Sequence, residues 1–190
     1  MKRASAFVMA LFLSLLLCAC GQSEGPASGP VIAAPEDRPE VFGDFASTEI
    51  YGAPVDQTVF EDYTLTMVNV WGTFCAPCIR EMPDLGEISA EYADRGFAVI
   101  GIPADITDKN GKVKTAEFDD ALDIIATTQA NYLHIGPSAG MISAKLGSIQ
   151  SLPQTIFVDS QGRQVGEIYA GSKEKAEWIR IIDGLLEAME

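Results

Sequence analysis

Cys75 and Cys78 stand three residues apart in Cys75-Ala76-Pro77-Cys78. This spacing allows three kinds of chemistry: half of a zinc site, a structural disulfide, or a redox dithiol. A structural zinc site takes four Cys or His ligands. The chain has no second C-x-x-C, and His134 is its only histidine. A disulfide across two intervening residues closes a very small loop and constrains the unfolded chain little. The redox reading has a positive mechanism. A thiolate at a helix N-terminus meets unpaired backbone N–H groups and the positive end of the macrodipole. That lowers the thiol pKa and populates the attacking thiolate.

The elements needed to build such a site are legible on both sides of it. Leu65-Thr66-Met67-Val68-Asn69-Val70-Trp71 is a nearly continuous apolar run, which predicts a strand buried on both faces. From Ala76 to Asp94, residues Ile79, Met82, Leu85, Ile88 and Tyr92 recur at helical spacing, and Gly96 ends the pattern. Pro77 falls in the first turn, where a missing N–H costs nothing and the fixed φ suits a helix. Phe97–Ile102 predicts another buried strand. Thr115–Tyr132 predicts a helix with Phe118, Leu122, Ile125 and Ala126 on one face. Met141–Leu146 reads as a short helix. Thr155–Val158 and Val165–Tyr169 flank the hairpin signal Asp159-Ser160-Gln161-Gly162. A final helix runs to Glu190 with Ser172 as its cap and Trp178, Ile181, Ile182, Leu185 and Met189 inward. Phe45–Ile50 and Val55-Asp56 predict short strands around Tyr51-Gly52-Ala53-Pro54, an N-terminal β extension. This succession of strands and helices gives an α/β, thioredoxin-like arrangement: a central mixed β-sheet flanked by helices on both faces.

Composition narrows the function classes. With 13 Lys+Arg against 27 Asp+Glu, a net charge of −14 argues against binding nucleic acid, which needs cations to displace phosphate counterions. At 47% apolar residues the chain has material for a core despite that charge. The first residues read as export machinery. Met1-Lys2-Arg3 is a basic head, and Phe7 to Cys20 is apolar or small except for Ser14, too short to span a bilayer. Leu17-Cys18-Ala19-Cys20-Gly21 resembles a bacterial lipobox, which makes 1–19 a lipoprotein signal peptide and Cys20 the lipidated residue. Gly21 to Asp44 is rich in Gly, Pro, Ser, Ala and acids without apolar period, so 20–44 reads as a flexible tether. The thioredoxin-like domain is then 45–190.

The segment Val70-Trp71-Gly72-Thr73-Phe74-Cys75-Ala76-Pro77-Cys78-Ile79-Arg80-Glu81-Met82-Pro83 resembles the extracytoplasmic thioredoxin-like proteins of the TlpA/ResA type, whose motif runs W-x-x-W-C-x-P-C-x-x-E-x-P. The one departure is Phe74 in place of the second Trp, which keeps an aromatic wall beside the thiol. The resemblance implies that Cys75 is the exposed nucleophile and Cys78 the buried resolving thiol. It implies that Pro153, in Leu152-Pro153-Gln154-Thr155, is a cis-proline facing the cysteines, and that Pro83 kinks the helix. It implies no cofactor beyond the Cys75–Cys78 redox pair.

Thioredoxins proper carry a buried Asp six residues before the first cysteine. Asn69 stands there and cannot accept a proton. Asp105, in Ile102-Pro103-Ala104-Asp105, is the candidate acid/base for Cys78, since the family supplies an acidic residue after the next strand. His134 reads as structural. Asp119, Asp120 and Asp123 read as a solvated helix face.

The resemblance predicts a membrane-tethered, extracytoplasmic protein-disulfide reductase. It would draw electrons from a membrane thiol donor and pass them to exported proteins such as apocytochrome c or a methionine sulfoxide reductase. Two other classes use similar parts. A thioredoxin-fold copper chaperone would use soft thiolates for Cu(I), but such proteins carry C-x-x-x-C with a histidine or a methionine-rich stretch. A peroxiredoxin-like peroxidase would pair one cysteine with a nearby Thr and an Arg. Thr73 and Arg80 exist, yet the second cysteine three residues on favours disulfide exchange.

Overall fold

The computed structural model describes residues 32–190. The expected signal segment, Cys18, Cys20 and the first part of the expected tether, 20–31, lie outside the described residues.

The two longest apolar runs form the middle of a five-stranded sheet. Strand β3 (Leu65–Trp71) and β4 (Phe97–Pro103) are buried along their whole length and pair in parallel, Leu65 opposite Phe97 and Trp71 opposite Pro103. Near-uniform burial is what a parallel pair covered by helices demands. β5 (Leu133–His134) extends the sheet in parallel on the far side of β4. β6 (Gln154–Val158) pairs antiparallel with β3, and β7 (Gln164–Ala170) pairs antiparallel with β6. The strand order is β5-β4-β3-β6-β7. The N-terminal β extension is a separate hairpin of β1 (Ala46–Thr48) and β2 (Pro54–Asp56). It is shorter than the expected Phe45–Ile50 strand, because Phe45 and Ile50 turn into the core at its two ends.

Helix α1 (Ala76–Glu91) packs against both α2 (Thr115–Thr128) and α4 (Lys175–Glu187). On this side Met67, Leu85, Ile88, Phe97, Phe157 and Trp178 form one cluster. The opposite face of β3, carrying Val68 and Val70, packs with Phe42, Phe45, Phe60, Met141 and Leu146. Met141 belongs to α3 (Ala139–Ala144), which Ser138 caps by accepting from the Met141 amide at 3.3 Å.

Several boundaries differ from the periodicity, each for a local reason. α1 stops at Glu91 and a short 3-10 turn over Ala93–Arg95 precedes Gly96, whose φ of 67° closes the segment. α2 stops at Thr128 because Gln129 adopts φ 54°, and 130–132 then lead into β5. α4 begins after Glu174 with no side-chain cap, so Ser172 does not serve as one. The C-terminal part of the expected tether is also docked. Val41 and Phe42 are buried, the Val41 amide donates to Gly162 O at 3.1 Å, and Pro39 O accepts from the Gln164 amide at 2.9 Å. Arg38 reaches Asp159 at 3.1 Å with both side chains about nine-tenths buried.

Candidate active site

Strand β3 ends at Trp71, and three residues later the chain enters α1 with Cys75 as its N-cap. The Cys75 sulfur accepts from the Cys78 amide at 3.4 Å, and the Cys75 carbonyl accepts from the Ile79 amide at 3.1 Å. The sulfur therefore sits among the unpaired donors of a helix start, the surroundings that favour a thiolate. Pro77 lies in the first turn. Cys75 and Cys78 are joined by a disulfide, S–S 2.01 Å and Cα–Cα 5.3 Å. Cys75 keeps 6% of its surface exposed and Cys78 keeps none. Access, small as it is, belongs to Cys75 alone.

Cys75 opens onto a groove of about 550 Å³. Phe74, Pro77, Leu146, Ile149, Ser151 and Leu152 are among the residues that line it. Phe74 is 76% exposed, so this aromatic wall of the groove is open to solvent. The Leu152–Pro153 peptide bond is cis, and the residues leading into it border the same groove as Cys75. Trp71 is fully buried behind the pair, in a cluster with Cys75, Cys78 and Met82.

Beneath Cys78 lies a buried polar network. Glu81, one turn along the inner face of α1, is 3% exposed. One of its oxygens accepts from Asn69 Nδ2 at 3.0 Å; the other accepts from the Lys173 amide at 3.2 Å and from Trp178 Nε1 at 3.3 Å. Asn69 Nδ2 also donates to Thr155 Oγ1 at 3.1 Å. Loss of hydration raises the Glu81 pKa, against the pull of these three donors, and the nearby Asp84 charge adds to the rise. Asn69 thus acts as a donor to a carboxylate where thioredoxins proper keep the carboxylate itself. In the sequence, Glu81 stands out only as a fixed position of the motif. The signal was present: Cys78, Glu81, Met82, Leu85 and Ile88 form the buried stripe of α1, and a carboxylate on such a stripe needs partners.

Asp105 follows β4 and lies near the site, but its carboxylate is engaged elsewhere. Thr73 donates to it through its amide, 3.1 and 3.2 Å to the two oxygens, and through its hydroxyl at 2.6 Å. His134 is buried, with Nε2 3.1 Å from Ala130 O, its ring stacked on Tyr132 at 4.5 Å and edge-on to Trp71 at 5.8 Å. Burial lowers its pKa to about 4, so it is a neutral packing element. Burial, with a smaller effect from the Glu81 charge, raises the Tyr132 pKa and keeps its phenol protonated. Among the described residues no group of three or more His, Cys, Asp or Glu is placed to hold a metal ion.

The comparisons with known proteins agree on the fold and the family. The thiol-disulfide oxidoreductase ResA of Bacillus thuringiensis subsp. konkukian (strain 97-27) is 27% identical over 124 residues, 65% of this chain and 65% of that one. The thiol-disulfide oxidoreductase ResA of Bacillus thuringiensis (strain Al Hakam) is 44% identical over 119 residues, 58% of each. The chain therefore spans about 65% of the length of the first of these curated relatives. A secreted thiol-disulfide isomerase from Corynebacterium glutamicum superposes with a TM-score of 0.63 at 22% identity, covering 86% of this chain and 93% of that one. Such superpositions establish a thioredoxin-like fold. The model of the family described as Redoxin matches residues 39–179, and with this fold and this cysteine pair the chain belongs to that family.

Proposed function

We propose that the protein is a thiol-disulfide oxidoreductase that reduces disulfides in exported proteins. One observation carries the reading. The Cys75–Cys78 pair caps a helix N-terminus, with Cys75 alone opening onto a groove bordered by the cis-proline loop. In the reduced protein the Cys75 thiolate attacks a substrate disulfide. One substrate sulfur leaves, and a mixed disulfide joins Cys75 to the other. Cys78, as thiolate, then attacks the Cys75 sulfur and releases the second substrate sulfur. Two electrons pass to the substrate, the two thiol protons end on its sulfurs, and the Cys75–Cys78 disulfide forms. Glu81, buried with a raised pKa one helical turn from Cys78, is the group placed to take the Cys78 proton.

The electron donor is a membrane thiol system that restores the dithiol, and the acceptors are exported disulfides such as those of apocytochrome c or a methionine sulfoxide reductase. The lipobox-like Leu17-Cys18-Ala19-Cys20 supports an extracytoplasmic location with a lipid on Cys20. Among the described residues no helix is long and apolar enough to cross a membrane.

Insulin reduction tests the activity. Wild type reduces insulin, and Cys75→Ser and Cys78→Ser both lose turnover. Cys78→Ser accumulates a mixed disulfide that Cys75→Ser does not form. Stoichiometric Cu(I) binding without reductase turnover overturns the proposal in favour of a copper chaperone. A reduction potential near about −270 mV places the pair with reductases, and one near about −120 mV with oxidants.

A further inference from the structure

The segment joining β3 to α1 is a tight turn in which the Cys75 amide donates to Gly72 O at 3.0 Å. Thr73 and Phe74 are its two central residues. Thr73 is held from outside the turn, because its amide and its hydroxyl both donate to the Asp105 carboxylate. Asp105 is itself fixed at the end of β4. The preceding Ala104 amide donates to Trp71 O at 2.8 Å, and Lys114 Nζ donates to the Asp105 carbonyl at 3.1 Å. A negatively charged acceptor receiving both an amide and a hydroxyl makes a strong, directional clamp. Two groups hang from the clamped turn: the Cys75 sulfur, and the Phe74 ring, which lies beside Gly72 and Leu152 and forms one wall of the groove.

We propose that Asp105 is a positioning residue. Acting through Thr73, it sets Phe74 and Cys75 for docking of a protein disulfide, and it carries no proton for Cys78. The inference rests on Cys75 being the attacking thiol, as argued above. Small displacements of a reacting group cost rate steeply, and they cost most where a large partner must be oriented. A small disulfide that needs no docking is therefore the internal comparison.

The experiment measures kcat and KM for insulin, and the rate of the reduced protein with 5,5′-dithiobis(2-nitrobenzoate), between about pH 5 and 9. Asp105→Ala and Thr73→Val each lower kcat/KM for insulin about tenfold, mainly through KM, and change the small-disulfide rate less than about twofold. Thr73→Ser, which keeps the hydroxyl, restores the wild-type value. Asp105→Asn, whose amide oxygen still accepts from Thr73, falls between wild type and Asp105→Ala and keeps the wild-type pH midpoint. The proposal is overturned if Asp105→Asn is as damaged as Asp105→Ala with a displaced pH profile, for that marks a proton carrier. Wild-type kinetics in Asp105→Ala and Thr73→Val overturn it too. Should Asp105→Ala fail to fold, Thr73→Val carries the test. Cys75→Ser is run beside them. Residual activity there removes the attacking-thiol reading itself, a failure distinct from that of the clamp.

Discussion

Glu81 takes an ionisable group into the apolar stripe of α1 and meets donors from three separate places: β3, the loop after β7, and α4. Removing its charge while keeping its shape separates its two roles. Glu81→Gln turns one acceptor oxygen into an NH₂ facing a donor, which costs about 1–2 kcal/mol of stability. If Glu81 takes the Cys78 proton, kcat for insulin also falls about a hundredfold and the acid limb of the pH–rate profile disappears. A pH profile unchanged from wild type rejects the proton role and leaves a structural carboxylate. The buried stripe of α1 signals that Glu81 needs partners, but not which partners they are. Its partners Lys173 and Trp178 lie 92 and 97 residues away, and only the fold brings them together. Asp105 shows the same limit from the other side. Its nearness to the site was legible from its place after a strand, but its partner, Thr73, 32 residues back, was not.

At the scale of elements, local chemistry was a good guide wherever one element explains itself. The apolar run over Leu65–Trp71 and the Pro77 in the first turn of α1 needed no tertiary information. Ends were harder. Gln129 enters the left-handed region without a glycine signal, and α4 begins without the serine cap its sequence offers. β4 illustrates what a strand pattern hides. Gly101 in its centre reads as a weak point, yet it makes room for a ring: a Cβ there would come within 2.3 Å of His134 Nδ1. Gly101→Ala must therefore push His134 away from Tyr132 and Trp71. The expected loss is about 1–3 kcal/mol in urea unfolding. An undiminished midpoint would show that His134, Tyr132 and Trp71 can shift freely.

Taken as a whole, the molecule responds to pH through groups of opposite habit. His134 ordinarily titrates near 6.5 and in the folded chain near about 4. Above pH 6.5 it is neutral in both states and its share of stability is fully present. As pH falls below 6.5 the unfolded chain binds a proton that the folded chain refuses, and the share is lost until about pH 4, a difference of about 3 kcal/mol. Glu81 works the other way. Its raised pKa makes the folded state take up its proton first, so stability rises as pH falls through its folded pKa. Denaturant unfolding of wild type and His134→Phe at pH 7 and at about pH 4.5 separates the two. The variant should lose less stability than wild type on acidification, and an identical loss would exclude His134 as the source.

The docked N-terminal segment has a mechanical consequence. β6 runs antiparallel to β3, with Gln154 beside Val70 and Val158 beside Thr66. The Asp159–Arg163 turn, which holds Arg38 and Val41, and Gln164 at the start of β7, which holds Pro39, are thus at the Thr66 end of the sheet, while Cys75 lies beyond the Trp71 end. The two are separated by roughly 17 Å of strand. The docked N-terminal segment thus lies at one end of the sheet, and the disulfide stands at the other. Under the attachment proposed at Cys20, a pull on the chain would meet the Asp159–Arg163 turn and the start of β7 before it reached the dithiol.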